Sequence, residues 1–465
     1  MQKGVSFSVF ARVILPFILA LLLRIQPLSI DVQRILHAAN LPISNPAKIS
    51  NELEQIARMQ PWREDIWEQI GLIKAASGDE IGAIEALERN DVRSEQGRDT
   101  LMQLYLRTGN QEKALAFARE EIQKPHPTET AFRTAVTFSR KSGQFADALD
   151  ITNRWHQLYP NSHEALYLQG IIRLRQLGDQ AATQDLFIAN SDYRPEVVGE
   201  LRNTLVQFNG GQDIAAQKLA LARILGKYGE WDIARSLLED VVRLEPKYAE
   251  AWALLGEATF QVGEDGWPAF EHAEALNNQS ALVNVLLGIR HRRSGQPEIS
   301  LVYLQKAITL EPYEARWKVE MAETLVDLGR MSEALNSYLA AYELAPHDPD
   351  IVRSLVLFSG NYSIGIQEVG IPAARALILL DDMNAEAQDL MGWLLLKSGD
   401  TTSAERFFHR ALELNPGFAQ ANYHLGQLYL LIGRRADADY QLAKVVENLP
   451  DHDQLHINAK RLLQP

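Results

Sequence analysis

Four residues near the C-terminal end have the types and spacing of metal ligands. They are Asp451, His452, Asp453 and His456, and the two imidazoles are four positions apart, so they would project from one side of a helix. The zinc-peptidase pattern requires a glutamate between two such histidines, and none is present. Because a polar helix is also expected to close the chain here, we expect no metal site.

Three evenly spaced glycines are candidates for a phosphate-binding loop. Gly360, Gly365 and Gly370 recur every five residues. Dinucleotide and nucleoside triphosphate loops use other spacings and follow a strand, which this segment does not predict. The glycines therefore indicate a local distortion of the backbone, and we expect no cofactor.

Composition excludes further kinds of chemistry. The 465 residues include no cysteine, which rules out disulfides, thiolate catalysis and cysteine-ligated metal centres. The formal net charge is −14, from 60 acidic and 46 basic residues. Nucleic acid binding normally needs a basic surface, so we expect no nucleic acid partner.

The stretch Asn384–Pro450 consists of one pattern written twice. Its landmarks recur after 34 residues, since 426 − 392 and 450 − 416 give the same offset. The first copy contains Met391, Gly392, Leu395, Gly399, Ala404, Phe408, Ala411 and Pro416; the second contains Leu425, Gly426, Tyr429, Gly433, Ala438, Leu442, Val445 and Pro450. This pattern resembles the tetratricopeptide repeat. The resemblance implies an all-α fold, an α-solenoid superhelix of stacked antiparallel helix hairpins.

Helix geometry gives independent reasons for these residue types. Small residues at Gly392 and Ala404 would let two successive helices approach closely. Gly399 stands between the helices, where positive φ is often needed, and Pro416 would end the second helix. Five aromatic residues fall on structural positions of the pattern, so we expect them between helices: Trp67, Tyr105, Trp252, Tyr338 and Tyr429.

The resemblance extends from about Trp62 to Pro450, and between about 185 and 213 the register is lost. We interpret that interval as a degenerate repeat or as a hinge. The predicted organisation is an N-terminal signal anchor or transmembrane helix (1–25), a tether with short helices (26–61), an N-terminal repeat array (62–192), the degenerate segment (193–212), a C-terminal array (213–450) and a capping helix (451–465).

The N-terminal prediction depends on one short apolar run. Val13–Leu23 carries no charge, and only an extension back to Val5 through Arg12 approaches the length of a membrane span. An uncleaved anchor with the repeats outside the cytoplasm is the favoured interpretation. A cleaved secretory signal and a buried cytoplasmic helix are the alternatives.

A peptide-binding groove is implied by the resemblance alone, because in this family the first helix of each unit lines a concave surface. The corresponding positions are Arg133, Arg140, Arg223, Lys227, Arg292, Arg293, Trp393, Tyr423 and Gln427. Its basic residues would suit an acidic or carboxylate ligand. The alternative is that they are solvated residues of the helix surface.

These observations predict a non-enzymatic scaffold that binds segments of other proteins and is tethered to a membrane by its N-terminal helix. No small-molecule substrate is expected. One alternative is an exported accessory module that recruits enzymes of envelope or polysaccharide assembly. Another is an enzyme with a site in one of the irregular segments, 185–213 or 347–382.

Overall fold

The computed structural model describes residues 46–60, 63–90, 93–175, 193–208, 213–450 and 453–464. Within these ranges the regular elements are 24 α-helices and one π-helical turn, with no strand. The predicted fold class, an all-α solenoid of antiparallel helix hairpins, is confirmed. The chain divides into two compact units, Met1–Leu237 and Leu238–Pro465.

The first unit contains ten complete helices in its described residues. They are α1 Pro46–Met59, α2 Glu64–Ala76, α3 Glu80–Glu88, α4 Glu95–Arg107, α5 Gln111–Glu121, α6 Glu129–Lys141, α7 Phe145–Leu158, α8 His163–Leu174, α9 Pro195–Gln207 and α10 Ile214–Lys227. Helix α11, Trp231–Leu244, contains the division between the units.

The second unit continues with thirteen helices in its described residues. They are α12 Ala249–Gln261, α13 Trp267–Leu276, α14 Ala281–Arg293, α15 Pro297–Leu310, α16 Ala315–Asp327, α17 Met331–Leu344, α18 Pro349–Tyr362, α19 Ile371–Leu380, α20 Ala385–Ser398, α21 Thr401–Leu414, α22 Ala419–Leu431, α23 Arg435–Asn448 and α24 Gln454–Leu463.

Close backbone approach within each hairpin explains the small residues of the repeat. A Cβ added at Gly392 would lie 2.7 Å from the Phe408 ring, and one added at Gly426 would lie 2.8 Å from Leu442. Gly399, between α20 and α21, has φ +91°, which other residues rarely adopt. The predicted roles of these glycines are confirmed.

The aromatic residues predicted between helices also lie there. Tyr105, Tyr338 and Tyr429 are buried. Trp67 and Trp252 are partly buried and pack against apolar clusters of their own hairpins.

The first helices of successive hairpins form the inner side of each stack. In the first unit α2 contacts α4 and α4 contacts α6; in the second unit the contacts run along α12, α14, α16, α18, α20, α22 and α24. Second helices of successive hairpins make no comparably close contact in the described residues. The stack is therefore narrower on the side of the first helices, and that side is called the inner face below.

The hairpin that contains the three spaced glycines is irregular. Helix α18 ends at Tyr362, and Ser363 and Gly365 both have positive φ. A π-helical turn, Ile366–Gly370, then leads into α19. Gly370 lies against Ser359, since an added Cβ would be 2.9 Å from its Cβ. Gly365 and Gly370 thus belong to the distortion that the spacing indicates, whereas Gly360 lies within the regular helix α18.

The ends of the array are covered by single helices. Leu53 and Ala57 of α1 are buried in one cluster with Ile66 and Ile70 of α2. At the other end, Ala459 of α24 is buried against Leu442 and Val445. The predicted tether therefore ends in a helix that packs on the array.

The predicted membrane anchor, residues 1–25, lies outside the described residues. Of the helices in the described ranges, none is both long enough and apolar enough to cross a bilayer. Residues 209–212 of the segment predicted as a degenerate repeat or hinge also lie outside them, whereas α9 occupies most of the rest of that segment.

Candidate functional site

Two of the predicted groove residues lie on α6 and are bound to carboxylates of the first unit. The Arg133 guanidinium donates from Nε and Nη2 to Glu164, at 2.6 and 2.5 Å. Arg140 is buried and donates to Asp232 at 2.7 and 2.6 Å and to Glu230 at 2.5 Å. Burial alone would lower the pKa of Arg140, but the hydrogen bonds and charges of the two carboxylates outweigh it and raise the pKa.

Glu230 is the centre of a larger network in the first unit. Besides Arg140, it accepts hydrogen bonds from the Tyr167 hydroxyl at 3.0 Å and from Arg194 Nη1 at 2.6 Å. Arg194 adopts a left-handed backbone conformation, with φ +49°, immediately before α9. The network joins α6, α8, the start of α9 and the turn between α10 and α11. The guanidinium of Arg140 therefore makes its contacts within the folded chain.

The two predicted residues on α10 also have partners. Lys227 Nζ lies 2.7 Å from Glu200 Oε1, and this pair is exposed. Arg223 takes part in an interaction within the chain as well. All four basic positions of the first unit therefore have intramolecular partners.

In the second unit, the predicted arginines belong to a surface that we call the charged inner face. It comprises Glu257 on α12, Arg292 and Arg293 on α14, and Glu320 and Glu323 on α16. Arg292 contacts Glu320 at 2.9 Å and Glu323 at 2.6 Å, and Arg293 contacts Glu257 at 2.6 Å. Each ion pair joins first helices of successive hairpins, so the cations stabilise the stack.

The Glu320 carboxyl group of the charged inner face has a raised pKa. Burial and the neighbouring charge of Glu323 raise its pKa, and Arg292 and Arg293 oppose this effect. The pKa remains above the ordinary value for glutamate. The arginines therefore compensate the burial of this carboxylate only in part.

The remaining predicted residues form a different surface, which we call the aromatic inner face. It comprises Trp393 and Lys397 on α20 and Tyr423 and Gln427 on α22. Lys397 Nζ lies 5.3 Å from the centre of the Trp393 ring, and Gln427 Nε2 donates to the Tyr423 hydroxyl at 3.2 Å. Trp393, Tyr423 and Gln427 are partly buried, and Lys397 is exposed. In the described residues Lys397 has no carboxylate partner.

Beneath the aromatic inner face lies a buried polar pair that the sequence analysis did not identify. Asp389 is 1% exposed and His424 is 6% exposed. The carboxylate oxygens of Asp389 lie 2.9 and 3.1 Å from His424 Nδ1. The Trp393 ring stacks on the imidazole, with centroids 5.9 Å apart and an angle of 13°. The pair therefore fixes the position of the aromatic surface above it.

A signal for this pair was present in the sequence. Asp389 and His424 are 35 residues apart, one more than the repeat period. They consequently lie one above the other on successive first helices, where side chains of adjacent repeats meet. Two polar residues separated by about one period can be identified as partners across repeats.

The C-terminal residues examined for metal binding have structural roles where they are described. Asp453 caps α24 by accepting a hydrogen bond from the Leu455 amide at 2.7 Å, and His456 Nδ1 lies 3.0 Å from the Leu449 carbonyl oxygen. Asp451 and His452 lie outside the described residues. In the part of the chain that the structure describes, no three acidic or histidine side chains form a metal-binding group.

Two curated proteins are similar to this chain. The peroxisomal targeting signal receptor of Kluyveromyces lactis is 25% identical over 224 residues, which is 46% of this chain and 39% of the receptor. The TPR repeat-containing protein YpiA of Bacillus subtilis is 23% identical over 325 residues, 69% of this chain and 71% of YpiA. This chain thus matches about two fifths of the receptor's length.

Among solved structures, the APC/C hetero-tetramer Cut9–Hcn1 is similar to this chain. The match has a TM-score of 0.42 and 14% identity, and it covers 90% of this chain and 92% of that chain.

Family models match three segments of the chain. Two models described as tetratricopeptide repeat match residues 219–264 and 285–349 and residues 395–463. The last two segments include the charged inner face from α14 onwards and most of the aromatic inner face. The chain therefore contains tetratricopeptide repeats, which act as modules of protein–protein interaction.

Proposed function

We propose that this protein is a non-enzymatic scaffold and that it binds a segment of a partner protein along the aromatic inner face. The observation that carries the proposal is the placement of Trp393, Lys397, Tyr423 and Gln427 on adjacent first helices, where Lys397 is exposed and the other three side chains are partly exposed. An aromatic ring supplies contact area at low entropic cost, and Lys397 is available to a carboxylate. The name of the similar receptor, which refers to recognition of a targeting signal, agrees with this function.

The polar groups of the surface suit a peptide backbone. The Tyr423 hydroxyl accepts from Gln427 and retains its own hydrogen as a donor. Burial raises the pKa of Tyr423, so the hydroxyl stays protonated at neutral pH. The side-chain oxygen of Gln427 can accept from a backbone amide. The surface thus presents a donor and an acceptor beside the aromatic ring.

The aromatic inner face is also preorganised. Trp393 is held between the His424 imidazole and the backbone of α18 at Gly360, where no side chain intervenes. A ring that is already positioned loses little conformational entropy on binding, so more of its contact energy contributes to affinity.

Arg292 and Arg293 on the charged inner face contribute less to the proposed binding. An acidic segment that reached the charged inner face would have to compete with Glu320 and Glu323 for Arg292, and with Glu257 for Arg293. Exchange of one carboxylate for another gives little net free energy. We therefore place the main affinity at the aromatic inner face and assign the arginines to partner selectivity.

A pair of matched variants tests the site. Trp393→Ala with Lys397→Glu removes the aromatic ring and reverses the nearby charge. The control is Tyr440→Ala with Lys444→Glu on α23, where the lysine Nζ lies 4.4 Å from the ring centre and the tyrosine is 61% exposed. Proteins that co-purify with the tagged full chain are quantified by mass spectrometry.

We expect at least one abundant partner to fall about tenfold or more in the inner-face variant and to be retained by the control. Such a decrease corresponds to about 1.4 kcal/mol of binding free energy. Identical partner sets for the wild type and both variants would refute the proposed site.

The membrane tether is a separate proposal that rests on Val13–Leu23 and on no described residue. Carbonate extraction of membranes from cells that express the full chain tests it. An integral anchor keeps the protein in the pellet. Release into the supernatant would refute the anchor and leave the interaction surface unaffected.

A further inference from the structure

The second unit contains a cavity that is lined mainly by a second helix, α21. Its volume is about 500 Å³, and it is lined by Gln388 of α20 and by four residues of α21: Ser403, Arg406, Phe407 and Arg410. We call it the outer pocket. None of these residues belongs to the aromatic or the charged inner face, so the proposed function does not account for it.

Two guanidinium groups give the outer pocket its charge. Arg406 and Arg410 are four residues apart on α21, so their side chains are neighbours on one face of the helix. Arg410 contacts Glu413 at 3.1 Å, in an exposed pair. Arg406 is exposed and has no carboxylate partner in the described residues. Arg434, on the next hairpin, is by contrast paired with both Glu405 and Asp437.

Apolar side chains lie close to these cations. Phe407 lines the pocket and is partly buried against the neighbouring hairpin. Met383, in the turn before α20, has its sulfur 4.0 Å from Arg410 Nη2 and is 63% exposed. Apolar exposure beside a cation without a carboxylate partner is typical of an interaction surface.

The chemistry of this surface defines its partner. The chain as a whole has a net charge of −14, so an uncompensated arginine beside exposed apolar residues is a local exception. Two guanidinium groups one helical turn apart match two carboxylates at the same spacing. Because Arg410 already pairs with Glu413, we expect most of the affinity to come from Arg406. The exposed Met383 and the partly buried Phe407 match apolar residues between or beside those carboxylates.

We propose that the outer pocket docks a helical segment of a partner protein that carries two carboxylates one turn apart, flanked by apolar residues. The segment binds Arg406 and Arg410 through its carboxylates and covers Phe407 and Met383. The inner face remains open, so the protein can hold two partners at once. This inference is independent of the aromatic inner face.

A synthetic peptide tests the proposal directly. The probe is a fluorescein-labelled, helix-forming peptide with glutamates at positions i and i+4 and leucines on the same face. A second peptide has glutamines in place of the glutamates. Binding to the full chain is measured by fluorescence anisotropy for the wild type and for Arg406→Glu, Trp393→Ala and Arg330→Glu. Arg330→Glu is the control, because it gives the same change in net charge at a site before α17.

We expect saturable binding that weakens tenfold or more with Arg406→Glu and with the glutamine peptide. Arg330→Glu and Trp393→Ala should change it less than twofold. Equal losses with Arg406→Glu and Arg330→Glu would show non-specific charge attraction and overturn the proposal, as would no saturation up to about 1 mM. Self-association of the wild type that Arg406→Glu abolishes would make a second copy the occupant and would also overturn it.

Discussion

The charged and aromatic inner faces are built from the same kind of helix in the same stack, yet they place their charges at different depths. On the charged inner face, Arg292 and Arg293 pair with carboxylates of neighbouring hairpins. These pairs are partly open to solvent, since the side chains of Arg293 and Glu323 are 48% and 39% exposed, although Glu257 is buried. On the aromatic inner face the polar pair, Asp389 and His424, is buried, and Trp393 covers it. In the first case the charges are compensated by ion pairs that are partly open to solvent, and in the second the polar pair is buried beneath the aromatic ring.

This difference shows that a groove position alone does not determine a role in binding. A cation whose charge is already compensated offers a ligand only exchange of one partner for another. A partly exposed aromatic ring over a buried polar pair offers new contact area without breaking an existing contact. The aromatic inner face is therefore the better binding surface, although both faces lie on first helices.

The largest expected effect comes from removal of the buried carboxylate. Asp389→Ala leaves the His424 imidazole buried without its partner, and we expect a loss of about 2 to 3 kcal/mol in the free energy of unfolding. Urea unfolding measures it. Asp437→Ala is the control, because its carboxylate is 50% exposed and its pair with Arg434 lies at the surface. Equal losses in the two variants would show that the buried Asp389–His424 pair stabilises the fold no more than a surface ion pair does. The proposed difference between the two inner faces would then be wrong.

The variant Gly360→Ala, which adds a methyl group behind Trp393, should lower the free energy of unfolding by slightly less. In Gly360→Ala the added Cβ would lie 2.0 Å from Cζ3 of Trp393, so the ring must move. Overpacking of this kind costs about 2 kcal/mol. Binding at the aromatic inner face should weaken although no residue of that face is changed.

The control for this variant is the same substitution elsewhere in a helix. A Cβ added at Gly199 of α9 meets no atom within 4 Å. Because alanine is the better helix former, Gly199→Ala should stabilise by up to about 1 kcal/mol. If Gly360→Ala also stabilised the protein, the tight packing behind Trp393 would be refuted.

Most of the fold could be predicted because its determinants are local. The contact between Gly392 and Phe408 and the positive φ of Gly399 follow from residues that recur within each repeat. Pro416 comes two residues after the end of α21, as expected of a helix stop. The π-helical turn after α18 could be located as a distortion by its glycines, but its hydrogen-bonding pattern has no distinct sequence signal.

The site could be predicted only in part, because its partners come from neighbouring repeats. The position of Arg292 on a first helix follows from the repeat pattern. Its pairing with Glu320 and Glu323 depends on side chains 28 and 31 positions away, which the helix pattern of a single repeat does not contain. Asp389 was missed because a carboxylate on a helix is expected to face solvent unless a partner compensates its burial.

On the charged inner face, loss of one cation should have a moderate effect. Arg292→Gln removes two ion pairs that are partly exposed to solvent, and we expect a loss of about 1 kcal/mol. Arg353→Gln on α18 is the matched control; its guanidinium is 42% exposed, whereas that of Arg292 is 16% exposed. If Arg292→Gln lost more free energy of unfolding than Asp389→Ala, the polar contacts of the charged inner face would contribute more to stability than the buried pair of the aromatic inner face, contrary to expectation.

The smallest expected effect concerns pH and the Glu320 carboxyl group. Because burial raises its pKa in the folded state, the group's contribution to stability is complete below the unfolded glutamate pKa of about 4.3 and is lost as pH rises through the folded value. Glu320→Gln has no such titration. The free energy of unfolding of the variant relative to the wild type should therefore increase between pH 4 and pH 7.

Urea unfolding at pH 4, 5.5 and 7 measures this difference. A difference that stayed flat would mean that Arg292 and Arg293 compensate the burial of Glu320 in full. One that fell with pH would mean that the ion pairs outweigh burial, and the arginines would then be the principal stabilising groups of their face. In either case the ion pairs of the charged inner face would contribute more to stability than the raised pKa of Glu320 indicates.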